Sequence, residues 1–190
     1  MAPLSVRITG GVHRSRRLRS TRGADLRPTT EKARAAIFSM VGPETVEGAR
    51  VLDLYAGTGA LAIEAISRGA AWADLVEISA RRVRTIRDNL DDLSLARQAR
   101  VYQARALAAL NSLPGGYGLV FADPPYDLEE WEPLMEGLGS GDLLTADGIV
   151  VAEHRHGAAM KERYGSLARV KSRRYGDTAV TIYRAGAANG

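Results

Sequence analysis

The sequence predicts an α/β fold built on a mostly parallel, doubly wound sheet. Three observations carry that expectation. From residue 50 onward, apolar runs of strand length alternate with amphipathic helical stretches, the pattern of repeated βα units. Two strand-like runs near the end, 168–174 and 178–184, are joined at Tyr175-Gly176-Asp177 and add an antiparallel edge. The 190 residues, 45% hydrophobic and 25% charged, are enough for one globular domain with a core of its own.

The elements follow in order. Val6-Arg7-Ile8-Thr9 alternate like a short strand, Gly10-Gly11 can turn it back, and Arg16-Arg17-Leu18-Arg19 is its expected partner. Pro28 precedes Thr29-Thr30-Glu31, a helix start with a hydroxyl cap and an acid in the first turn. Ala33, Ile37, Phe38, Met40 and Val41 give this helix an apolar face, and Gly42-Pro43 end it. The core then reads as strand 51–55, helix 61–68, strand 73–78 and helix 80–93 with arginines on its outer face. Strand 100–103, a short alanine-rich helix, strand 119–122, helix 129–138 and strand 149–153 complete it before the closing hairpin. The expected division is a basic arm over 1–28, a main domain over 29–184 and a frayed tail over 185–190.

Charge is unevenly placed. Lys+Arg number 26 and Asp+Glu 22, a net +4, yet residues 1–34 alone hold nine basic and two acidic residues. The basic character is therefore local to the N-terminal part of a mildly acidic body, as in a polyanion-binding arm. A solvated, arginine-biased tail would have the same composition, since only three of the 26 basic residues are lysine. Cysteine is absent, which excludes a disulfide framework, a thiolate metal site and a cysteine nucleophile. No apolar run approaches the roughly 18 residues of a membrane helix and no apolar signal core is present, so the expected compartment is the cytoplasm. His154 and His156 share one side of a strand end without a third ligand, so no metal is expected.

Two motifs carry chemistry. Asp53-Leu54-Tyr55-Ala56-Gly57-Thr58-Gly59-Ala60 links the first core strand to its helix, where Gly57 and Gly59 permit a tight turn and a close backbone approach. Ala62 replaces the third glycine of a dinucleotide fingerprint, and the loop lacks the lysine of a phosphate loop. Glu77, at the end of the next strand, can accept both hydroxyls of a ribose. Together these point to a nucleoside cofactor without deciding which. The second motif, Asp123-Pro124-Pro125-Tyr126, follows the fourth core strand. Its prolines stiffen the loop, so that the Asp123 carboxylate and the Pro124 carbonyl can hold the hydrogens of a planar exocyclic amine while Tyr126 stacks on the base.

With these residues the chain resembles class I S-adenosylmethionine-dependent methyltransferases, and more closely the RsmD family, which methylates the N2 of one guanine in bacterial 16S ribosomal RNA. The resemblance runs from Arg7 to about Arg184, through Arg7-Ile8-Thr9-Gly10-Gly11, Arg16-Arg17-Leu18, Leu26-Arg27-Pro28-Thr29-Thr30, residues 53–65 and Asp123 to Tyr126. It implies a Rossmann-like class I methyltransferase fold, with a mostly parallel seven-stranded sheet, a C-terminal antiparallel hairpin and a small N-terminal β-hairpin extension. It implies S-adenosyl-L-methionine as cofactor, held by Asp53, Tyr55, Ala56, Gly57, Thr58, Gly59, Glu77, Ile78, Ala104 and Arg105. It places the guanine amine at Asp123, Pro124, Pro125 and Tyr126. Its RNA-facing residues would be Arg7, Arg14, Arg16, Arg17, Arg19, Arg27, Thr29 and Lys32, with 16S rRNA or the small subunit as partner and a monomer as the working state. Where many class I enzymes have an acid after the third strand, this chain has Gln103-Ala104-Arg105. Adenine would then be held by backbone groups or by packing on Ile78.

Two rivals share parts of this reading. An adenine-N6 methyltransferase acting on DNA or RNA would use the same catalytic residues, and the basic hairpin with Arg27-Pro28-Thr29-Thr30 is what separates it. A non-catalytic RNA-binding assembly factor would keep the fold without binding the cofactor. An NAD-binding oxidoreductase is disfavoured by the Asp-Pro-Pro-Tyr segment and the missing third glycine.

Overall fold

A computed structural model describes residues 6–20, 31–125 and 130–186. A small antiparallel pair, β1 (Val6–Arg7) and β2 (Arg17–Leu18), comes first, with Val6 opposite Leu18. The helix α1 (Glu31–Val41) follows, then a single helical turn α2 (Pro43–Val46). Gly42-Pro43 thus ends one helix and begins another, because proline suits the first helical position. The main run is β3 (Arg50–Leu54), α3 (Ala60–Ser67), β4 (Trp72–Glu77), α4 (Ala80–Asp92), a 3₁₀ turn (Ala96–Gln98), β5 (Ala99–Gln103) and α5 (Ala106–Leu110). It continues through β6 (Tyr117–Ala122), α6 (Trp131–Ser140), β7 (Leu144–Arg155), β8 (Arg163–Tyr164), β9 (Leu167–Tyr175) and β10 (Thr178–Ala185).

The large sheet has the order β5-β4-β3-β6-β7-β10-β9-β8. Strands β5, β4, β3, β6 and β7 are parallel, and the last three pair antiparallel. The expected seven strands are present in the large sheet, and the two-residue β8 extends it by one. Strand β7 starts earlier than its apolar run because Leu144 already pairs with Tyr117 before a register shift.

Side chains alternate between two apolar layers. One face of the sheet (Val51, Leu119, Phe121, Val151, Val180) packs with α1, α3 and α4, together with Val6, Ile8 and Leu18 of the small hairpin. The other face (Leu52, Leu54, Val120, Val150, Tyr183) packs with α5 and α6. Burial on both faces explains why the central strands read as near-continuous apolar runs. No helix among the described residues is long and apolar enough to cross a membrane.

Candidate active site

Three parallel strands end side by side. Leu54 pairs with Val76 on one flank and with Ala122 on the other, so residues 55, 77 and 123 leave neighbouring tips of β3, β4 and β6. Glu77 and Asp123 therefore stand at neighbouring strand ends, where open α/β sheets form their crevice. Asp53 is buried and accepts the Ala62 N–H at 3.2 Å, reaching past the glycine loop to the first turn of α3. Burial pushes its carboxyl up to about 7; the Ala62 N–H opposes this, and the nearby charge of Glu77 adds to it.

Glu77, also buried, organises the loop. Its Oε2 accepts the Gly57 N–H at 3.0 Å and its Oε1 accepts the Ser79 N–H at 2.8 Å. Each oxygen retains a second lone pair for a ligand hydroxyl. Ile78 is 58% exposed, an apolar surface at the same tip, and the Ala104 N–H donates to the Glu77 carbonyl at 3.2 Å. Ala56 and Thr58 are buried within the loop. Gly59 has φ +77, and a Cβ there would meet Leu75 and Ile86 side chains at 3.2 and 3.3 Å. Its left-handed backbone and its close packing against β4 and α4 both favour glycine, beyond the ligand approach that sequence suggests.

Tyr55 is a non-glycine residue at φ 64, a conformation that costs about 1–2 kcal/mol. Its hydroxyl donates to Glu130 Oε2 at 3.0 Å, and Arg105 Nη2 donates to Glu130 Oε1 at 3.1 Å. Two expected cofactor residues from different strand tips are thus tied together by one carboxylate. Asp123 is half-buried, Pro124 buried and Pro125 exposed, while Tyr126 lies outside the described residues. Ala122 pairs with Ala152, so Glu153 of β7 stands next to Asp123 in register. His154 is locked in place: its Nδ1 lies 2.9 Å from the Arg155 carbonyl and its Nε2 lies 2.8 Å from the Thr181 hydroxyl. A carbonyl only accepts, so Nδ1 carries the proton and Nε2 receives one from Thr181. Burial lowers the pKa of this ring, consistent with a structural, neutral histidine.

The small hairpin is docked against α3 and α4. Glu64 and Arg34, 0% and 1% exposed, form an ion pair at 3.3 Å. Glu64 also receives Arg68 at 2.7 Å and the Thr9 hydroxyl, and Arg34 donates to the Arg7 carbonyl. Gly11, at φ +77, comes so close to the Ser67 carbonyl that a Cβ has no room. Asn89 of α4 completes the join. Its amide donates to the Thr58 carbonyl in the glycine loop and to the Arg19 carbonyl, both at 3.1 Å, and accepts the Arg19 N–H at 2.7 Å.

This docking divides the expected RNA-facing residues. Arg19 is held by Asp92 at 2.8 Å and lies 3.7 Å from Asp88, and Arg16 donates to the Asp92 carbonyl at 3.3 Å. Arg7, Arg14, Arg17 and Lys32 are exposed and make no ion pair among the described residues. Arg27 and Thr29 lie outside the described residues.

A family model described as "Conserved hypothetical protein 95", the RsmD family, matches residues 6–184. The chain belongs to the RsmD family. Its relatives include YlbH of Bacillus subtilis (strain 168), 36% identical over 182 residues, covering 94% of this chain and 98% of YlbH. "Ribosomal RNA small subunit methyltransferase D" of Escherichia coli (strain K12) is 39% identical over 137 residues, 70% of this chain and 68% of that protein. The solved structure of yhhF from Escherichia coli superposes with a TM-score of 0.83 at 30% identity, covering 96% of this chain and 99% of that one.

The RsmD-family cofactor, S-adenosylmethionine, fits the residues at the strand tips. Buried Asp53 suits a ligand that carries a sulfonium and an ammonium, buried Glu77 suits ribose hydroxyls, and exposed Ile78 suits an adenine face. Sequence reading missed Glu64, Arg34, Asn89 and Glu130. Glu64 sits inside the apolar run 61–66, and Arg34 lies one turn before Ile37 and Phe38 on the apolar side of its helix; an isolated charge in an apolar stripe was the available signal. Glu130 and Asp92 each bind an arginine distant in sequence, Arg105 at 3.1 Å and Arg19 at 2.8 Å.

Proposed function

We propose that this RsmD-family methyltransferase transfers a methyl group from S-adenosylmethionine to the exocyclic N2 amine of a guanine in 16S rRNA. The observation that carries the reading is the pairing of Leu54 with Ala122, by which the glycine loop and the Asp123-Pro124-Pro125 turn leave adjacent strand tips. When bound, S-adenosylmethionine would supply an electrophilic methyl on sulfur and, on losing it, would leave as a neutral thioether that keeps the electron pair of the S–C bond. Asp53 and the loop from Tyr55 to Gly59 would hold its methionine end, Glu77 its ribose, and Ile78, Ala104 and Arg105 the adenine side.

On the substrate side, Asp123 and the Pro124 carbonyl accept the two amino hydrogens and favour a pyramidal nitrogen whose lone pair is free. Asp123 then receives the proton that leaves as the N–C bond forms. Pro125 stiffens the turn and Tyr126 stacks on the base. Holding both partners in line supplies most of the acceleration, with roughly 7–11 kcal/mol available from orientation alone. The target base is a loop base or is flipped out, since a stacked base cannot reach this crevice. Arg7, Arg14, Arg17, Arg27, Thr29 and Lys32 engage RNA directly, whereas Arg16 and Arg19 serve it by fixing the hairpin to α4. The enzyme works as a cytoplasmic monomer.

The small-subunit rRNA methyltransferase among its relatives favours rRNA over DNA, and the basic hairpin is what separates this reading from an adenine-N6 methyltransferase. Labelled methyl transfer to unmodified 30S particles, followed by mapping of the modified base, tests this. Label on one guanine N2 is the expected result; label on adenine N6 or no transfer overturns it.

A further inference from the structure

Strand β9 does not behave like its neighbours. Residues 169–174 are all exposed, although β10 beside them is almost wholly buried. Strand β8 pairs only with Leu167 and Ala168, and Arg169 N–H donates to the Glu162 carbonyl. Beyond that point no strand covers the outer edge of β9 among the described residues. The segment 163–176 contains five basic residues and no acid. Arg169 is engaged by Glu162, but Lys171 and Arg173 make no ion pair among the described residues. Val170, between Arg169 and Lys171, is 54% exposed.

One lysine is enough to discourage edge-to-edge pairing. Here the charge extends along the strand to the end that lies beside the catalytic tip. Register gives the distance. Asp123 follows Ala122, which pairs with Ala152; Glu153 pairs with Val180, and Val180 with Arg173. Position 123 and Arg173 therefore occupy one row across four adjacent strands, about 14 Å apart at the usual strand spacing. Exposed Arg155 ends β7 between them, and exposed His156 follows it. Tyr175, beside Arg174, donates its hydroxyl to the Met40 sulfur at 3.3 Å, which fixes the hairpin tip to α1. The N-terminal hairpin docks on α3 and α4, over the β3–β5 half of the sheet, while β9 lies on the other side of β6.

We propose that the exposed edge of β9, through Lys171 and Arg173, is a second RNA-binding surface that grips the substrate backbone across the active site from the N-terminal hairpin. A strand whose target base enters at the tip of β6 carries phosphates on both sides of that base, and each basic surface meets one side. The exposed cations along β9 are complementary to phosphates and carry no groove-reading geometry, so they set affinity and register and leave base choice to the crevice. This inference rests on the rRNA reading above.

The test compares wild-type protein with the Lys171→Ala/Arg173→Ala variant on full-length 16S rRNA transcript and on unmodified 30S particles. RNA affinity is expected to fall roughly tenfold, and the slope of log affinity against log salt to flatten by about 1.5, close to 0.7–0.9 per phosphate contact. Affinity for S-adenosylmethionine and the melting temperature stay at wild-type values. The charge-retaining Lys171→Arg/Arg173→Lys variant restores both RNA affinity and slope. Wild-type affinity and slope in the alanine variant overturn the proposal. Loss on 30S particles with unchanged transcript binding also overturns it, in favour of a protein partner on this edge. Absence of methyl transfer by the wild-type protein brings down the rRNA reading itself, an outcome separate from any difference between variants.

Discussion

Asp53 and Asp123 are carboxylates at adjacent tips with opposite surroundings. Asp53 is buried, and burial holds its carboxyl at about 7, against about 3.9 in an unfolded chain. The folded protein therefore binds the proton more tightly, so this group's contribution to stability falls as pH rises from about 4 to about 7. A cationic ligand beside Asp53 selects the ionised form. Affinity for S-adenosylmethionine should then rise with pH below about 7 and level off above it. Calorimetry in two buffers of different ionisation enthalpy should register proton release near pH 6.5, and Asp53→Asn should abolish both effects; a flat affinity profile in the wild type contradicts the placement. Asp123 is half-buried, with Glu153 next to it in register. Asp123→Ala should lower kcat by about 10²–10⁴ and leave cofactor affinity at its wild-type value, which single-turnover transfer and calorimetry together can read. Equal loss of both would mean that Asp123 belongs to the cofactor site.

At the scale of elements, the hairpin and α1 are joined to α3 by a buried ionic hub. Removing one member of such a network leaves charge stranded in the interior, which costs about 3–5 kcal/mol. Glu64→Gln removes the negative charge shared by Arg34 and Arg68, and for a chain of this size the melting temperature should fall by about 6–20 °C. Replacing the pair together, as Arg34→Met/Glu64→Leu, should recover part of the loss, and a double variant that melts lower than Glu64→Gln would refute the stranded-charge account. This hub also marks where sequence reading stops. The βα alternation, the glycine loop and the Asp-Pro-Pro turn are legible because each is a local pattern of burial or turn chemistry. The partners of Glu64 lie 55 residues away at Thr9 and 30 away at Arg34, and Tyr55 meets Glu130 across 75 residues. No local periodicity encodes those meetings. Arg19 reads as an RNA contact for the same reason: its charge is visible in the sequence, whereas Asp92, which holds it, is 73 residues distant.

Across the whole molecule, the glycine loop and the hairpin proposed to engage RNA share a wall. Helix α3 starts at the glycine loop and ends under the hairpin turn at Ser67, and α4 carries Asn89 between Thr58 and Arg19. Both amide hydrogens of Asn89 and its oxygen are committed to these two backbones, one on each binding surface. Asn89→Ala leaves the buried Thr58 carbonyl without that donor and frees the Arg19 backbone, at a cost of about 1–3 kcal/mol for the unsatisfied groups. Cofactor affinity and rRNA affinity should therefore weaken together in Asn89→Ala. Arg17→Ala, which removes an exposed charge on the hairpin surface, should weaken rRNA binding alone. Titration of each ligand separately against both variants distinguishes the cases. A variant at Asn89 that loses only one affinity would show that the loop and the hairpin are held independently, with the contact at α4 serving packing and nothing more.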